Sequence, residues 1–373
     1  MAIDKVTSAA LETSTNQPGF RNIIINGDMS IAQRATSVSS ISSGTAYDTV
    51  DRFSRNIGSG GTWTISQSTD VPTGQGFAKS LKLDCTTANG SLSSNSEFVV
   101  RQQIEGQNLQ YLKKGTSSAE STTLSFWVKS NKTGTYIAEL RDADHNRQIS
   151  QAYTISSADT WEKKTLTYAG DTTGVFANDN GGSLIVELWL VAGSDFTSGT
   201  LSTTWTSSTN ANRAVGQVNL ADSTSNEWYI TGVQLEAGTS ASDFEFLPVD
   251  VNLKRCQRYF YKIESTGTTS NNQITTGFTY GTAGVQSNVK MEVLMRSTPS
   301  FSYDIGTNGL ILYNNSDSIT ASVPKTYAFA PFGGLLYFDS DLSGTFGATY
   351  RPVNVSFNTS PTQTKVLKFD AEL

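Results

Sequence analysis

Apolar residues alternate with polar ones in many short runs along the chain. Across residues 124–129 every second residue is apolar, while a serine, Trp127 and Lys129 fill the positions between. This two-residue period is that of a strand with one buried face. Residues 184–191 are apolar on both faces apart from Glu187, which predicts a central strand buried on two sides. Further strand-like runs lie at residues 23–25, 81–85, 98–101 and 228–236.

Polar turns separate these runs. Glycine-rich clusters at residues 58–61 and 178–182 are typical of such turns. Period-two strands joined by polar turns predict an all-β chain that begins with a jelly-roll sandwich. The composition agrees, because only 16% of residues are charged and 31 are glycine. A helical protein would carry more lysine, glutamate, alanine and leucine on its surface.

The chain is predicted to hold two β domains after a short arm. Its 373 residues are too many for one ordinary domain. Pro248, which cannot continue a central strand, marks the boundary. We predict an arm at residues 1–20, a jelly-roll domain at 21–250 and a smaller antiparallel β domain at 251–373. The arm is open to two interpretations, a disordered tail or a segment that docks on a partner.

The second domain is predicted from a further series of strand-like runs. They lie at residues 289–295, 301–305, 335–338, 353–357 and 366–369. Ahead of them, Leu253, Cys256 and Phe260 recur at helical spacing. The pattern there is compatible with a short helix and with an amphipathic strand, and we favour a linker that leads into the first strand.

Charge and hydropathy limit the classes of binding partner and the cellular compartment that we expect for this chain. The net charge is -6, with no basic stripe of the kind that binds phosphates or anionic lipid. We therefore predict no nucleic-acid partner and no membrane partner. The first 19 residues lack the apolar core of a signal peptide, and no stretch approaches the roughly 20 apolar residues of a membrane helix. Synthesis in a cytosol and release by another route, such as lysis, is the expectation.

Little catalytic chemistry can be assembled from this sequence. The single histidine, His145, lies in a polar turn, so zinc sets and Ser–His–Asp triads lack partners. Glu187 is the best candidate for a glycan-cleaving carboxylate, but a strand carboxylate paired with lysine, arginine or tyrosine is the favoured interpretation. We predict that the protein is not an enzyme. The two cysteines, Cys85 and Cys256, are expected to be buried thiols.

Tryptophans are the natural platforms for sugar rings. Trp205 lies in a long polar loop, where binding residues tend to sit, and is the first candidate glycan contact. A ring that plugs one end of the barrel is the alternative. Trp63, which follows the glycine cluster at 58–61, is the second candidate. The strand tryptophans are predicted to be core or inter-sheet residues: Trp127, Trp161, Trp189 and Trp228.

Several segments resemble known families. Residues 22–29 (NIIINGDM) look like the opening strand of jelly-roll carbohydrate-binding modules, and 123–129 (TLSFWVK) and 228–236 (WYITGVQLE) look like their middle and closing strands. The order of QLEAG at 234–238, FE at 244–245 and RCQRY at 255–259 is similar to that in phage tail-fibre-like and other virion proteins, notably of marine phages. MRSTP at 295–299 is similar to the MRATP stretch of fibre C-terminal domains.

The resemblance covers residues 20–300 and carries several expectations. It implies a galactose-binding-like sandwich, a place on the virion and a homotrimer, whose contacts we expect in the aromatic C-terminal domain. It also implies a structural calcium ion near Asp28 and Glu236, the alternative being a capped turn and a surface carboxylate.

The function expected from these features is that of a virion fibre or appendage protein. It would serve assembly and host attachment, with other virion proteins and a host surface glycan as partners. Two alternatives stay open: a capsid or tail decoration protein without a host ligand, and a glycan-degrading tail spike. The sequence leaves open which particle element carries the chain.

Overall fold

The computed structural model describes residues 20–265, 273–280, 284–305, 309–314, 317–321, 324–339, 352–358 and 365–373. The predicted arm lies outside them, apart from Phe20. The chain divides into two compact units between Asn252 and Leu253. The predicted boundary at residue 250 lies two residues before this division. Both units are built from antiparallel strands, which confirms the all-β prediction.

The first unit is a sandwich of two sheets. We call the six-stranded sheet, ordered β1-β4-β5-β13-β7-β10, the front sheet, and the seven-stranded one, ordered β12-β9-β8-β11-β6-β3-β2, the back sheet. The strands are β1 Ser37–Ile41, β2 Gly44–Ala46, β3 Ser54–Gly58, β4 Thr62–Ser68, β5 Ser80–Thr87, β6 Glu97–Glu105, β7 Thr122–Ser130, β8 Gly134–Asp142, β9 Arg147–Ile155, β10 Glu162–Tyr168, β11 Gly182–Ala192, β12 Thr206–Ser207 and β13 Glu227–Ala237. Helix α1 is Ser194–Thr197, and short 3-10 turns lie at Gly106–Asn108, Gln110–Leu112, Asn210–Asn212 and Leu220–Asp222.

Side chains between the two sheets form one core. Leu124, Phe126 and Val128 of β7 are fully buried there, which confirms the predicted alternation. Strand β11 is buried on both faces, also as predicted. The outward faces of the two sheets are therefore where this unit can present polar and aromatic groups in regular rows.

Residues 23–25, predicted as a strand, are instead an irregular buried segment. The Ile23 amide donates to the Leu235 carbonyl at 2.9 Å, while the Ile25 amide donates to the Gln102 side chain at 2.8 Å. Asn26, just beyond, has a left-handed φ of 61°. Side-chain partners thus replace a regular ladder, and the chain turns before a strand can form.

The second unit contains a three-stranded sheet, β14-β23-β17, and a seven-stranded sheet, β19-β18-β22-β15-β16-β21-β20. The strands are β14 Phe260–Glu264, β15 Gln273–Tyr280, β16 Gly284–Lys290, β17 Ser300–Asp304, β18 Leu310–Asn314, β19 Asp317–Ala321, β20 Pro324–Ala330, β21 Gly333–Asp339, β22 Pro352–Phe357 and β23 Val366–Asp370. Residues including Leu336, Phe338 and Phe369 form its core.

Helix α2, Val249–Gln257, occupies the stretch for which we favoured a linker. Asp250 lies in its first turn and Lys254 and Arg255 in its last, which suits the helix dipole. Cys256 and Cys85 are buried and form no disulfide, as predicted. In the part of the chain that the structure describes, no helix is long and apolar enough to cross a membrane.

Candidate functional site

Lysines and aromatic rings alternate across the outward face of the front sheet. Lys82 on β5, Tyr229 on β13 and Lys129 on β7 lie directly opposite one another. Trp161, immediately before β10, completes the row, which we call the ladder. The Lys129 ammonium lies 4.3 Å from the Tyr229 ring centroid and 5.8 Å from that of Trp161, and the Lys82 ammonium 5.4 Å from Tyr229. These are cation–π distances.

Two carboxylates hold the ladder in place. Glu227 accepts from Lys82 at 2.8 Å and from the Tyr229 hydroxyl. Asp70 accepts from Lys129 and, at 2.9 Å, from the Trp161 indole N–H. The ladder side chains are thereby fixed before any ligand arrives, which lowers the entropy cost of binding.

The ion pairs also shift the titration of these groups. Burial opposes ionisation of Glu227, but hydrogen bonds from Lys82 and Tyr229 outweigh it and hold the pKa of Glu227 below its ordinary value. In the same way burial opposes ionisation of Asp70, yet hydrogen bonds from Lys129 and Trp161 keep its pKa low. Both carboxylates are therefore charged at neutral pH.

Trp127 and Lys163 lie opposite each other in the next row of this face. Trp127 and Trp161 are half-buried rather than core residues, whereas Trp189 and Trp228 are fully buried. The prediction that all four are core or inter-sheet residues therefore needs correction for Trp127 and Trp161. The sequence held a signal for Trp127, because its alternation places that ring on the same face as Lys129.

Trp205 lines a different site, a small pocket of about 20 Å³, which has room for little more than one water molecule. Its ring is half-buried against the core, and its indole N–H donates to the Ala169 carbonyl at 2.7 Å. The Lys114 ammonium lies 5.7 Å from this ring. Contact with a ligand stays a prediction for Trp205, and packing against the core supports the alternative of a ring that plugs the barrel.

Lys114 is itself buried beneath Trp205. Its ammonium donates to Asp142 at 2.6 Å and to the carbonyls of Thr173 and Gly174 at 2.8 and 2.9 Å, and it lies 3.2 Å from an oxygen of Asp171. A buried ammonium needs such a set of oxygens. Lys114 therefore has a structural role in the pocket, because protein oxygens already bind its ammonium group.

The structure places Trp63 in the core rather than on a binding surface. Its ring is fully buried, packs edge-on against Phe98 at 4.9 Å and donates its indole N–H to the Gly60 carbonyl at 2.8 Å. The glycine cluster lets the chain turn beside the ring without exposing it. Trp63 is thus unavailable to a ligand in this fold.

The proposed calcium ligands have separate hydrogen-bond partners. Asp28 accepts from Ser30 and, at 3.1 Å, from Asn252, which matches the capped-turn alternative. Glu236 is buried and accepts from the Ser242 amide at 2.8 Å, so it is not a surface carboxylate. Within the described ranges, no group of three or more His, Cys, Asp or Glu side chains is placed to hold a metal ion.

Glu187 belongs to a buried ion cluster with Glu139 and Arg213 on the outward face of the back sheet. Glu139 lies directly opposite Glu187 on β8. Arg213 donates to Glu139 at 3.0 Å and also to Glu187, while Arg141 and Arg101 lie 3.5 and 3.8 Å from Glu187. The favoured interpretation of a strand carboxylate paired with a cation therefore describes its surroundings.

The two glutamates differ in their number of cationic neighbours. Burial, together with the negative charge of Glu187, raises the pKa of Glu139 to about 7, although Arg213 opposes this rise. Burial acts on Glu187 too, but Arg213, Arg141 and Arg101 together hold its pKa below the ordinary value.

His145, the single histidine, lies beside Asp142 at 3.2 Å with its side chain 39% exposed.

Comparisons with known proteins assign no family to this chain. No protein-family model matches it, and no curated protein matches it significantly. Among solved structures, the enzymatically active domain of tailspike protein 4 of bacteriophage CBA120 is 15% identical over 58% of this chain, with a TM-score of 0.30. This chain spans about a fifth of that structure, 21% of its length.

Carbohydrate-binding proteins are also among the similar structures. A putative sugar binding protein from Bacteroides thetaiotaomicron is 12% identical, with 58% of this chain and 99% of that one covered and a TM-score of 0.31. TmCBM61, solved with beta-1,4-galactotriose, is 10% identical with the same coverages and a TM-score of 0.29. At these scores the likeness assigns neither a ligand nor a phage origin to this chain.

Proposed function

We propose that this protein is a non-enzymatic, glycan-binding component of a bacteriophage fibre or appendage that serves assembly and host attachment. The observation that carries the glycan-binding proposal is the ladder of Lys82, Tyr229, Lys129 and Trp161. It combines a half-buried indole at its end with fixed hydrogen-bonding groups beside it. Sugars are bound in this way, by an aromatic platform for the ring and polar groups for the hydroxyls.

The absence of catalysis in the proposal rests on the surroundings of Glu187. Its side chain is only 2% exposed and is bound by Arg213, so it has no access to a substrate and no proton to donate. Glu139, opposite it, is fully buried and holds Arg213 and the Trp189 indole. A glycosidase needs both carboxylates beside the scissile bond.

The virion role is supported by the order of the fibre-like motifs from residue 234 to residue 299. Self-association is supported by the outward face of β15, where Phe278 and Tyr280 are 58% and 54% exposed. Gln286 and then Tyr337 extend the row that begins at Phe278. Exposed aromatic patches of this kind usually mark interfaces, and the fibre resemblance supplies the number three.

The glycan-binding proposal is tested on an array of bacterial surface polysaccharides. We expect the parent protein to bind at least one glycan and Trp161→Ala to lose that binding. Phe246→Ala, which removes a 51% exposed ring of the same unit outside the ladder, is the control and should keep the binding. An array without any bound glycan would refute the proposal and favour a decoration protein. Released reducing ends that depend on Glu187 would refute the non-enzymatic role.

Self-association is tested by light scattering on the full-length protein. We expect a trimer for the parent and a smaller species for the double variant Phe278→Ser, Tyr280→Ser, because both exposed rings are removed from the proposed contact. Phe246→Ser, which removes a 51% exposed ring from the first unit, is the matched control. A parent that is monomeric at micromolar concentration would refute self-association, and a trimer that survives the double change would refute the interface.

A further inference from the structure

The ladder repeats one arrangement twice. In each repeat a carboxylate accepts from one lysine and from one aromatic side chain. Glu227 accepts from Lys82 and the Tyr229 hydroxyl. Asp70 accepts from Lys129 and the indole of Trp161. Two ammonium groups are therefore balanced by two carboxylates, so the ladder together with Glu227 and Asp70 carries no net charge.

A ligand that approaches this face meets carboxylates at least as readily as ammonium groups. The side chains of Asp70 and Glu227 are 42% and 36% exposed, against 13% for Lys129 and 25% for Lys82. An acidic sugar would come within the roughly 8–10 Å over which charges act in physiological salt. To reach either lysine it would have to displace the carboxylate already bound there.

Hydroxyl groups face no such competition. A hydroxyl donates one hydrogen bond and accepts others, so neighbouring hydroxyls can bind a lysine and a carboxylate that lie side by side. The half-buried Trp161 ring offers the adjacent apolar surface on which a sugar ring can stack. We infer that the ladder selects uncharged glycans and discriminates against those with carboxylate or sulfate groups. This inference rests on the proposed glycan-binding function.

Lys163 is the neighbouring group that could favour an acidic ligand. It is exposed, lies opposite Trp127, and makes no ion pair with a described residue within 4.0 Å. An acidic polysaccharide held by simple charge attraction would use this lysine. Lys163→Gln therefore separates selective binding on the ladder from charge attraction at its edge.

The test uses two pairs of polysaccharides, each with an uncharged and an acidic member built on the same sugar backbone. Full-length protein is titrated with dextran and dextran sulfate, and with fully methyl-esterified polygalacturonate and its free acid. We expect the uncharged member of at least one pair to bind about tenfold tighter than its acidic counterpart, and to bind equally at about 50 mM and about 500 mM NaCl. Trp161→Ala should abolish this binding, and Lys163→Gln should leave it unchanged.

Asp70→Asn makes the test sharper. Asparagine keeps an acceptor for the Trp161 indole but leaves Lys129 without its carboxylate, so the discrimination against acidic glycans should shrink severalfold. Asp195→Asn, the same charge change at an exposed residue of α1, should leave the discrimination intact. If the discrimination is unaltered by Asp70→Asn, the charge-balanced ladder is not its source.

The outcomes separate this inference from the proposed function. Tighter binding of the acidic members through Trp161 would overturn the ligand class while glycan binding stands. Salt-sensitive binding lost in Lys163→Gln would overturn it as well, by assigning the contact to simple charge attraction. If neither these probes nor the glycan array gave any binding, the proposed function itself would fail.

Discussion

Each outward face of the sandwich carries a cation beside an aromatic ring, but the two faces differ in how far they are exposed to solvent. On the front sheet, Lys129 lies 4.3 Å from the Tyr229 ring centroid. On the back sheet, Arg213 lies 4.9 Å from the Trp189 ring. On the front sheet Tyr229 itself is buried, but Trp161 is half-buried and the two carboxylates of the row are 36% and 42% exposed. On the back sheet Trp189 is fully buried and packs with Phe196 and Ala214.

This difference separates a structural role from a binding role. Glu139 and Glu187 on the back sheet are 0% and 2% exposed, so their charges depend on Arg213 and its neighbours. The carboxylates of the front sheet keep a third or more of their side-chain surface in water. Buried ion pairs are costly to break and exposed ones are not. An aromatic residue beside a charge therefore indicates a ligand site only where its surface is open.

The largest expected effect is that of Arg213→Met. It leaves Glu139 and Glu187 buried without their shared cation, so we expect the free energy of unfolding to fall by about 3–5 kcal/mol. Chemical denaturation measures it. Lys129→Met is the matched change on the front sheet and should cost less than about 1 kcal/mol. Equal costs at the two positions would contradict the contrast between the faces.

A smaller effect depends on pH. Burial raises the pKa of Glu139 to about 7 from an ordinary 4.5, so folding takes up a proton between these values. The stability that this group contributes is present at acidic pH and is lost as pH rises through about 7. The lowered pKa of Glu187 has the opposite effect on stability. The stability that this group contributes is lost as pH falls below its ordinary pKa of 4.5.

Glu139→Gln should therefore gain stability relative to the parent as pH rises from about 5 to about 8, by a difference on the order of 1–3 kcal/mol. Melting temperatures at the two pH values measure this change. Glu120→Gln, at a carboxylate that is 41% exposed, is the control and should show no such trend. A parallel pH dependence of Glu139→Gln and the parent would sink the claim.

The smallest effect on stability is expected at the ladder itself. Trp205 packs against the core, so Trp205→Ala should lower stability by about 2 kcal/mol and leave glycan binding intact. Trp161 is held by its hydrogen bond to Asp70, so Trp161→Ala should cost about 1 kcal/mol and abolish binding. Thermal unfolding and glycan titration on both variants would show whether the two effects separate in this way.

Local pattern predicted the parts of this fold that depend on neighbouring residues. The alternation across 124–129 indicated which side chains of β7 face the core, and the apolar run at 184–191, interrupted by Glu187, identified β11. The ladder depends instead on distant partners, since Asp70 lies 91 residues from Trp161 and 59 from Lys129. No periodicity reports such a pairing. The pattern of each strand taken alone also does not indicate whether the face that carries Trp127 or Trp161 is exposed to solvent.

The central claim is that glycan binds on the ladder and not at the Trp205 pocket. Oxidative footprinting of the unsubstituted full-length protein tests this claim. The oxidation of each tryptophan is measured by mass spectrometry in the presence and absence of a glycan found by the array. We expect bound glycan to lower the oxidation of Trp161 severalfold and to leave the oxidation of Trp205 unchanged. Protection of Trp205 with no change at Trp161 would contradict it.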